Sequence, residues 1–283
     1  MLKFILLFLL FFINNLYPQL LLNINSFDTY EQAMGDTSLL VINKDSSFLS
    51  NPGINTFFYL KKINLTISES FFNNPYYVLT FQSFKSNFHW GIAINYFNSS
   101  EFPYVDIYGN TLENINYYEY MILLNYSAKI INKIGSGINI KILSQHLYKN
   151  SLLLIDIDWG IICNYLNLFN RKIYISLNLK NPINNYKIEF NTSYKIYTLY
   201  KKIKIYNALS FDTIKFNYYT LNIGLNFNYK DNYSFLMGYK LNNYILNHFS
   251  IGFNIKLKNL SFSYSLTPST FYNQNSISLN YYF

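Results

Sequence analysis

From Tyr219 to Lys230 the chain alternates without a break. Tyr219, Leu221, Ile223, Leu225, Phe227 and Tyr229 fall on one side of an extended backbone, and Thr220, Asn222, Gly224, Asn226, Asn228 and Lys230 on the other. Successive side chains of a strand point to opposite faces, so the run describes a strand between two unlike environments. The pattern restarts after Asp231-Asn232 with Tyr233, Phe235, Met237, Tyr239 and Leu241. It returns from His248 to Lys258, again at Leu260, Phe262, Tyr264 and Leu266, and earlier at Ile173, Ile175, Leu177 and Leu179.

A soluble sandwich also alternates, with its apolar face inward. Three features point elsewhere. The runs are ~9–12 residues, longer than the ~5–6 of an ordinary strand and matched to a tilted bilayer crossing. Their polar face is built from Ser, Asn and Gly rather than the Lys and Glu of a solvated surface. Tyr117, Tyr118, Tyr219 and Tyr229 cluster at run ends, as in an interfacial girdle. Backbone groups in lipid must all be paired, so such a sheet has to close on itself. The expected fold is all-β: a transmembrane antiparallel β-barrel of about 14 strands with a short N-terminal plug segment.

The expected strands are 63–72, 75–84, 88–97, 115–127, 135–147, 151–165, 171–180, 187–198, 202–215, 217–230, 233–241, 248–258, 260–267 and 276–283. Twelve or sixteen are the alternatives, because 187–216 is poorly punctuated. An even count with a periplasmic start puts the longest loop, 98–114, outside the cell, and the turns at Asp231-Asn232 and Asn259 in the periplasm.

The start reads Met1-Leu-Lys3, then apolar from Phe4 to Ile13, then Asn14-Asn15 and Pro18. That resembles a secretory signal peptide over 1–22, cut between residues 18 and 25, with a buried helix as the alternative. Beyond residue 22 no apolar run approaches the ~18 residues of a membrane helix. The expected division is therefore signal peptide 1–22, periplasmic or plug segment 23–57 and barrel 58–283, integral to a bacterial outer membrane. In the plug, Asn51-Pro52-Gly53 suits a tight turn.

Composition narrows the chemistry. The 283 residues are 51% hydrophobic, 20% aromatic and 13% charged. Codon bias toward A and T can supply part of the excess of Tyr, Phe, Ile, Asn and Lys, but it cannot supply their alternation. Cys163 is the single cysteine, so no internal disulfide forms, and packing is its simplest role. The net charge of +8 comes from lysines scattered singly between apolar residues, which argues against a nucleic-acid partner.

Asp156 and Asp158 lie two apart on one strand and point into the lumen, yet no third acid or histidine joins them at matching spacing. Solvated lumen charge is the simpler reading than acid–base work or a metal site. His89, His146 and His248 fall on separate strands. No phosphate loop, nucleophile elbow or metal motif is present, so the chain reads as no enzyme and as needing no cofactor. The register turns Lys141, Lys180, Lys202, Lys204, Lys230, Lys240 and Lys256 inward against Asp156, Asp158 and Asp212. Either the interior is weakly positive and favours anionic solutes, or several of these lysines snorkel from strand ends.

The segment ahead of the first strand carries Ala33-Met-Gly35-Asp36-Thr37, and then Asp45-Ser-Ser-Phe-Leu-Ser-Asn51-Pro52-Gly53-Ile54. Later come Ser100-Glu-Phe-Pro103 with Asp106 and Gly109-Asn110, Gly137-Ile-Asn-Ile-Lys141, Asp158-Trp-Gly160, Asn222-Ile-Gly224 and Met237-Gly-Tyr239. Together these resemble the PorV/PorQ family and the related FadL-type transporters. Gly53 stands where that pattern usually has Ala, and a second glycine after Gly35 is missing. The resemblance implies a fourteen-stranded barrel whose plug includes Gly35, Asp45, Asn51, Pro52 and Gly53.

It also implies one of two functions: passage of small hydrophobic or amphipathic ligands, or service as a type IX secretion accessory that receives or tethers secreted proteins. Likeness to outer-membrane barrels further implies that the assembly machinery reads Ile277, Leu279, Tyr281 and Phe283 as an alternating, aromatic-ended strand. Outer-membrane lipid is the remaining expected partner.

Overall fold

The computed structural model describes residues 28–37, 48–57, 61–69, 74–99, 102–105, 111–147, 150–168, 171–181, 187–199, 202–214, 218–242, 247–268 and 273–283. The expected signal peptide over 1–22 and the expected plug residue Asp45 both fall outside the described residues. The strands are β1 Lys62–Glu69, β2 Pro75–Lys85, β3 Phe88–Asn98, β4 Phe102–Val105, β5 Thr111–Ile115, β6 Tyr117–Ile131, β7 Ile134–Leu147 and β8 Asn150–Leu168. They continue as β9 Arg171–Lys180, β10 Lys187–Leu199, β11 Ile203–Ile214, β12 Tyr218–Tyr229, β13 Tyr233–Asn242, β14 His248–Leu257, β15 Leu260–Thr267 and β16 Gln274–Tyr282.

All fourteen expected strands form, and they close into one antiparallel barrel in which each pairs with its neighbour in sequence. β4 and β5 stand apart as a hairpin inside the long loop expected over 98–114. The seam is β1 against β16, running from Lys62 opposite Tyr282 to Ser68 opposite Ser276. Among the described residues no helix is long and apolar enough to cross a membrane. The crossing is made by strands.

The register fits the alternation. On β1 Leu65 is 44% exposed while its neighbour Thr66 is 1% exposed. Ile277, Leu279, Tyr281 and Phe283 all lie on the outer surface. Ser, Asn and Gly line the inside. An apolar exterior on a closed sheet is what lipid requires, because no edge or polar backbone group is left facing hydrocarbon.

The two ends of the barrel differ. At one end the strands are joined by turns of two or three residues, and at the other most connections are longer, up to the loop that holds β4 and β5. In bacterial barrels the short turns face the periplasm and the long loops the exterior.

Candidate functional site

Two pieces of the N-terminal segment lie inside the barrel. The first contains α1, Thr29–Ala33, capped by Asp28, whose carboxylate accepts a hydrogen bond from the Tyr30 amide at 2.8 Å. It ends in a turn in which Gly35 and Asp36 both adopt positive φ. The second runs from Phe48 through Asn51, whose side-chain oxygen accepts from the Gly53 amide at 2.8 Å, into a 3-10 turn over Ile54–Phe57.

The wall holds both pieces largely by their main chain. The Ser250 hydroxyl donates to the Ala33 carbonyl at 3.2 Å, and Asn139, Asn178 and Asn125 donate to the carbonyls of Phe48, Ser50 and Pro52 at 3.0, 3.2 and 3.1 Å. Side chains add to this: Asn226 donates to the Tyr30 hydroxyl at 2.6 Å, and Gln32 to the Tyr76 hydroxyl at 2.6 Å. Inward asparagines therefore act as docking groups for a plug, and this accounts for a polar face so poor in charge.

Two wall glycines permit the approach. A Cβ on Gly137 would sit 2.1 Å from the Pro52 carbonyl oxygen, and one on Gly238 would sit 2.0 Å from the Gly35 nitrogen. No side chain fits either place. A Cβ on Gly160 would come within 2.6 Å of Asn51 Oδ1. The short motifs of the sequence thus meet in space: Gly35 and Asn51-Pro52-Gly53 on the plug side, Gly137, Gly160 and Gly238 on the wall side.

Charge gathers on one side of the lumen. Lys141 pairs with Asp158 at 2.7 Å and donates to Asn181 Oδ1 at 2.8 Å. Lys180 and Lys187 share Glu189 at 2.9 and 2.8 Å, and Lys187 also reaches Asp212 at 3.3 Å. Lys240 holds Asp36 of the plug at 2.5 Å. Each of these four lysines, three buried and Lys187 half-buried, is matched by a carboxylate, so the interior carries no surplus of positive charge on this wall.

The other site residues lie as follows. Asp156 and Asp158 both point inward, and Asp156 accepts from the Ile157 amide at 2.8 Å. Lys256 is half-buried over the Tyr282 ring at 4.4 Å. Lys230 and Lys202 are exposed at the short-turn end rather than in the lumen, because the strands give way to turns there. His146 lies among Tyr118, Tyr120 and Ser144, His89 is buried, and Cys163 is half-buried. Among the described residues no three His, Cys, Asp or Glu side chains gather to hold a metal.

Within the plug, burial and then the neighbouring Asp28 push the Glu31 carboxyl up to about 8, against a Ser50 hydrogen bond that lowers it. Burial raises the Asp36 carboxyl, but the Lys240 ammonium, helped by His248 and Lys187, outweighs it and holds the group below its ordinary value.

The adjoining stretch of wall, which shares β7 and β8 with the charged side, is apolar. Val78 on β2, Ala93 and Phe97 on β3, Met121 and Leu123 on β6, Leu143 on β7 and Leu154 on β8 all turn inward, and Phe48 and Leu49 of the plug pack against them. Strict alternation does not disclose this patch. Its signal is the place where alternation fails: Met121-Ile-Leu-Leu124 and Leu152-Leu-Leu154 are apolar on both faces. Asn95 sits within the patch, fully buried between Ala93 and Phe97, and neither its nitrogen nor its oxygen has a hydrogen-bond partner.

No family model and no curated protein matches the chain. Solved structures do. The Pseudomonas putida toluene transporter TodX is 9% identical with a TM-score of 0.58, covering 91% of this chain and 96% of that one. The TodX deltaS2S3 mutant, a monoaromatic hydrocarbon channel, is 8% identical with a TM-score of 0.64, over 91% and 97% of the two chains. A Pseudomonas aeruginosa FadL homologue is 8% identical with a TM-score of 0.55, over 90% and 98%. At such identities the likeness is one of fold: the closed barrel of this chain is similar to those of TodX and the FadL homologue.

Proposed function

We propose that the protein is a channel of the bacterial outer membrane that admits small, mainly apolar molecules, with the two docked N-terminal segments as its gate. The observation that carries this reading is the apolar wall of β2, β3, β6, β7 and β8, which faces the lumen of a barrel lined elsewhere by Ser, Asn and paired charges. A water channel gains nothing from burying Leu123, Leu143 and Leu154, whereas an apolar solute leaving water gains about 25 cal/mol for each Å² it covers there. The likeness of fold to TodX, a toluene transporter and monoaromatic hydrocarbon channel, supports the same solute class.

The test is binding of toluene to the full chain in nanodiscs, read by saturation-transfer NMR against glucose as the polar control. Saturation of toluene that falls in a Leu123→Asn, Leu143→Asn double variant supports the reading. Equal saturation in the wild type and in that folded variant overturns it.

A second reading draws on the contacts among the short motifs. The meeting of Asn51-Pro52-Gly53 with Gly137 and Gly160 favours kinship with PorV/PorQ, and with it a role in receiving or tethering secreted proteins. Capture of defined type IX secretion cargo by the purified barrel, with no toluene signal, would put this reading first.

A further inference from the structure

The lysines that look scattered in sequence are gathered by the fold. Five of the six connections at the short-turn end carry a lysine: Lys85 before the β2–β3 turn, Lys133 between β6 and β7, Lys202 ahead of β11, Lys230 between β12 and β13, and Lys258 between β14 and β15; at the sixth, the sequence opens β9 with Arg171. Lys61 adds one at the seam, where its carbonyl accepts from the Phe283 amide. Lys61 and the five turn lysines are exposed.

Against them, Asp231 is the one side-chain carboxylate at this end among the described residues, and Lys204 already holds it at 2.6 Å. Glu69, Glu119, Glu189 and Asp212 all lie toward the opposite end of their strands. The asymmetry belongs to the ends of the barrel, not to the chain as a whole.

Just inside the ring of bases, on the outer surface, lies an aromatic band: Phe88 stacked on Tyr126, Tyr229 beside Tyr233, and Tyr281 edge-on to Phe283. Aromatic rings settle at the level where hydrocarbon gives way to headgroups. The bases beyond them therefore lie at phosphate level. Neighbouring strands are about 4.8 Å apart, so bases one hairpin apart stand roughly 10 Å from one another around the circumference.

From this geometry we infer that the short-turn rim is a collar that binds the phosphates of anionic phospholipids in the inner leaflet of the outer membrane. The choice of occupant follows from the shape. A leaflet surrounds a barrel on every side and can meet a base at each hairpin, whereas a soluble acidic protein would cover one arc and leave the rest unmatched. The collar fixes the depth and orientation of the barrel independently of the solute that crosses it.

The experiment reconstitutes the full chain in an equal mixture of phosphatidylcholine and phosphatidylglycerol, extracts it in mild detergent and measures the lipid that stays bound. Phosphatidylglycerol is expected to be enriched about fivefold at low salt. The enrichment should disappear in 1 M NaCl, where the screening length is ~3 Å. A variant carrying Lys133→Gln, Lys202→Gln, Lys230→Gln and Lys258→Gln should lose the enrichment while remaining heat-modifiable on gels and still binding toluene. If that variant does not fold, the salt dependence of the wild type decides. Equal recovery of both lipids at low salt, or enrichment that 1 M NaCl leaves intact, overturns the inference. Equal lipid recovery together with saturable binding of a purified acidic periplasmic protein would assign the rim to that partner instead.

Discussion

Replacing Gly238 by Ala tests whether the plug is held by close backbone contact with the wall. The new methyl group would lie 2.0 Å from the Gly35 nitrogen and 2.1 Å from the Met34 carbonyl carbon, where roughly 3.5 Å is comfortable. Both groups are main chain, so no side-chain rotation relieves the overlap, and the plug must retreat by about 1.5 Å. Two contacts beside it are then stretched: the Lys240–Asp36 pair at 2.5 Å and the Ser250 hydrogen bond to Ala33 at 3.2 Å. Weakening a charged and a neutral hydrogen bond costs roughly 2–3 kcal/mol, a factor of ~30–150 in the ratio of docked to released plug. Single-channel recording in planar bilayers reads that ratio as open probability. Gly238→Ala should open far more often than wild type, while Ser234→Ala on the same face should not. Both should remain heat-modifiable, since the barrel ladder is untouched. An open probability equal to that of wild type in a correctly folded Gly238→Ala barrel would refute the docking described above.

The remaining predictions follow from other parts of the structure. Glu31 has a folded-state pKa of about 8, above its ordinary value of 4.5, so ionisation opposes docking, with a cost that grows as pH rises from about 5 toward 8 and then levels off. Open probability should rise over that window and be flat in Glu31→Gln; a profile with equal slope in both would assign the pH response to other groups. Leu65 and Leu279 face each other across the seam on the lipid side, so Lys at either should cost ~2–4 kcal/mol near the midplane and block assembly, scored by loss of the heat-modifiable band. Asn95→Leu removes a buried amide without partners, and should raise the unfolding temperature by relieving a cost of about 1–3 kcal/mol. Phe283→Asp should lower the yield of assembled barrel, because a charge replaces an exposed ring at the membrane interface; unchanged yield would remove that ring from the assembly signal.

How far the sequence discloses this molecule depends on what each residue answers to. Lipid imposes one demand everywhere, an apolar outer face, and so Leu221 through Tyr229 or Ile277 through Phe283 declare their strands and register without help from neighbours. The interior answers to several demands at once. Lys141 and Lys230 look alike in a period-two pattern, yet one is buried against Asp158 and the other is exposed beyond the end of its strand. The pairing of Lys187 with Asp212 joins residues 25 apart in sequence that only the β10–β11 ladder brings together. The apolar wall was legible only as faults in the alternation, since five strands contribute to it and no single one spells it out. The hairpin of β4 and β5 is short, and its tip interrupts any sustained pattern.

The docking of the plug through its own carbonyls has a consequence for how the protein can drift over generations. Asn125, Asn139, Asn178 and Ser250 grip peptide groups that every amino acid supplies. A substitution in the plug can alter what protrudes into the passage without loosening the grip. A substitution at the gripping asparagine, or at Gly137 or Gly238, has no such freedom. Selection for a new solute would therefore act first on Phe48, Leu49 and their neighbours, while the receiving strands stay fixed. Among descendants of this barrel, the most constant inward positions should be the polar and glycine sites of the wall, and the most changeable the apolar ones nearest the passing molecule.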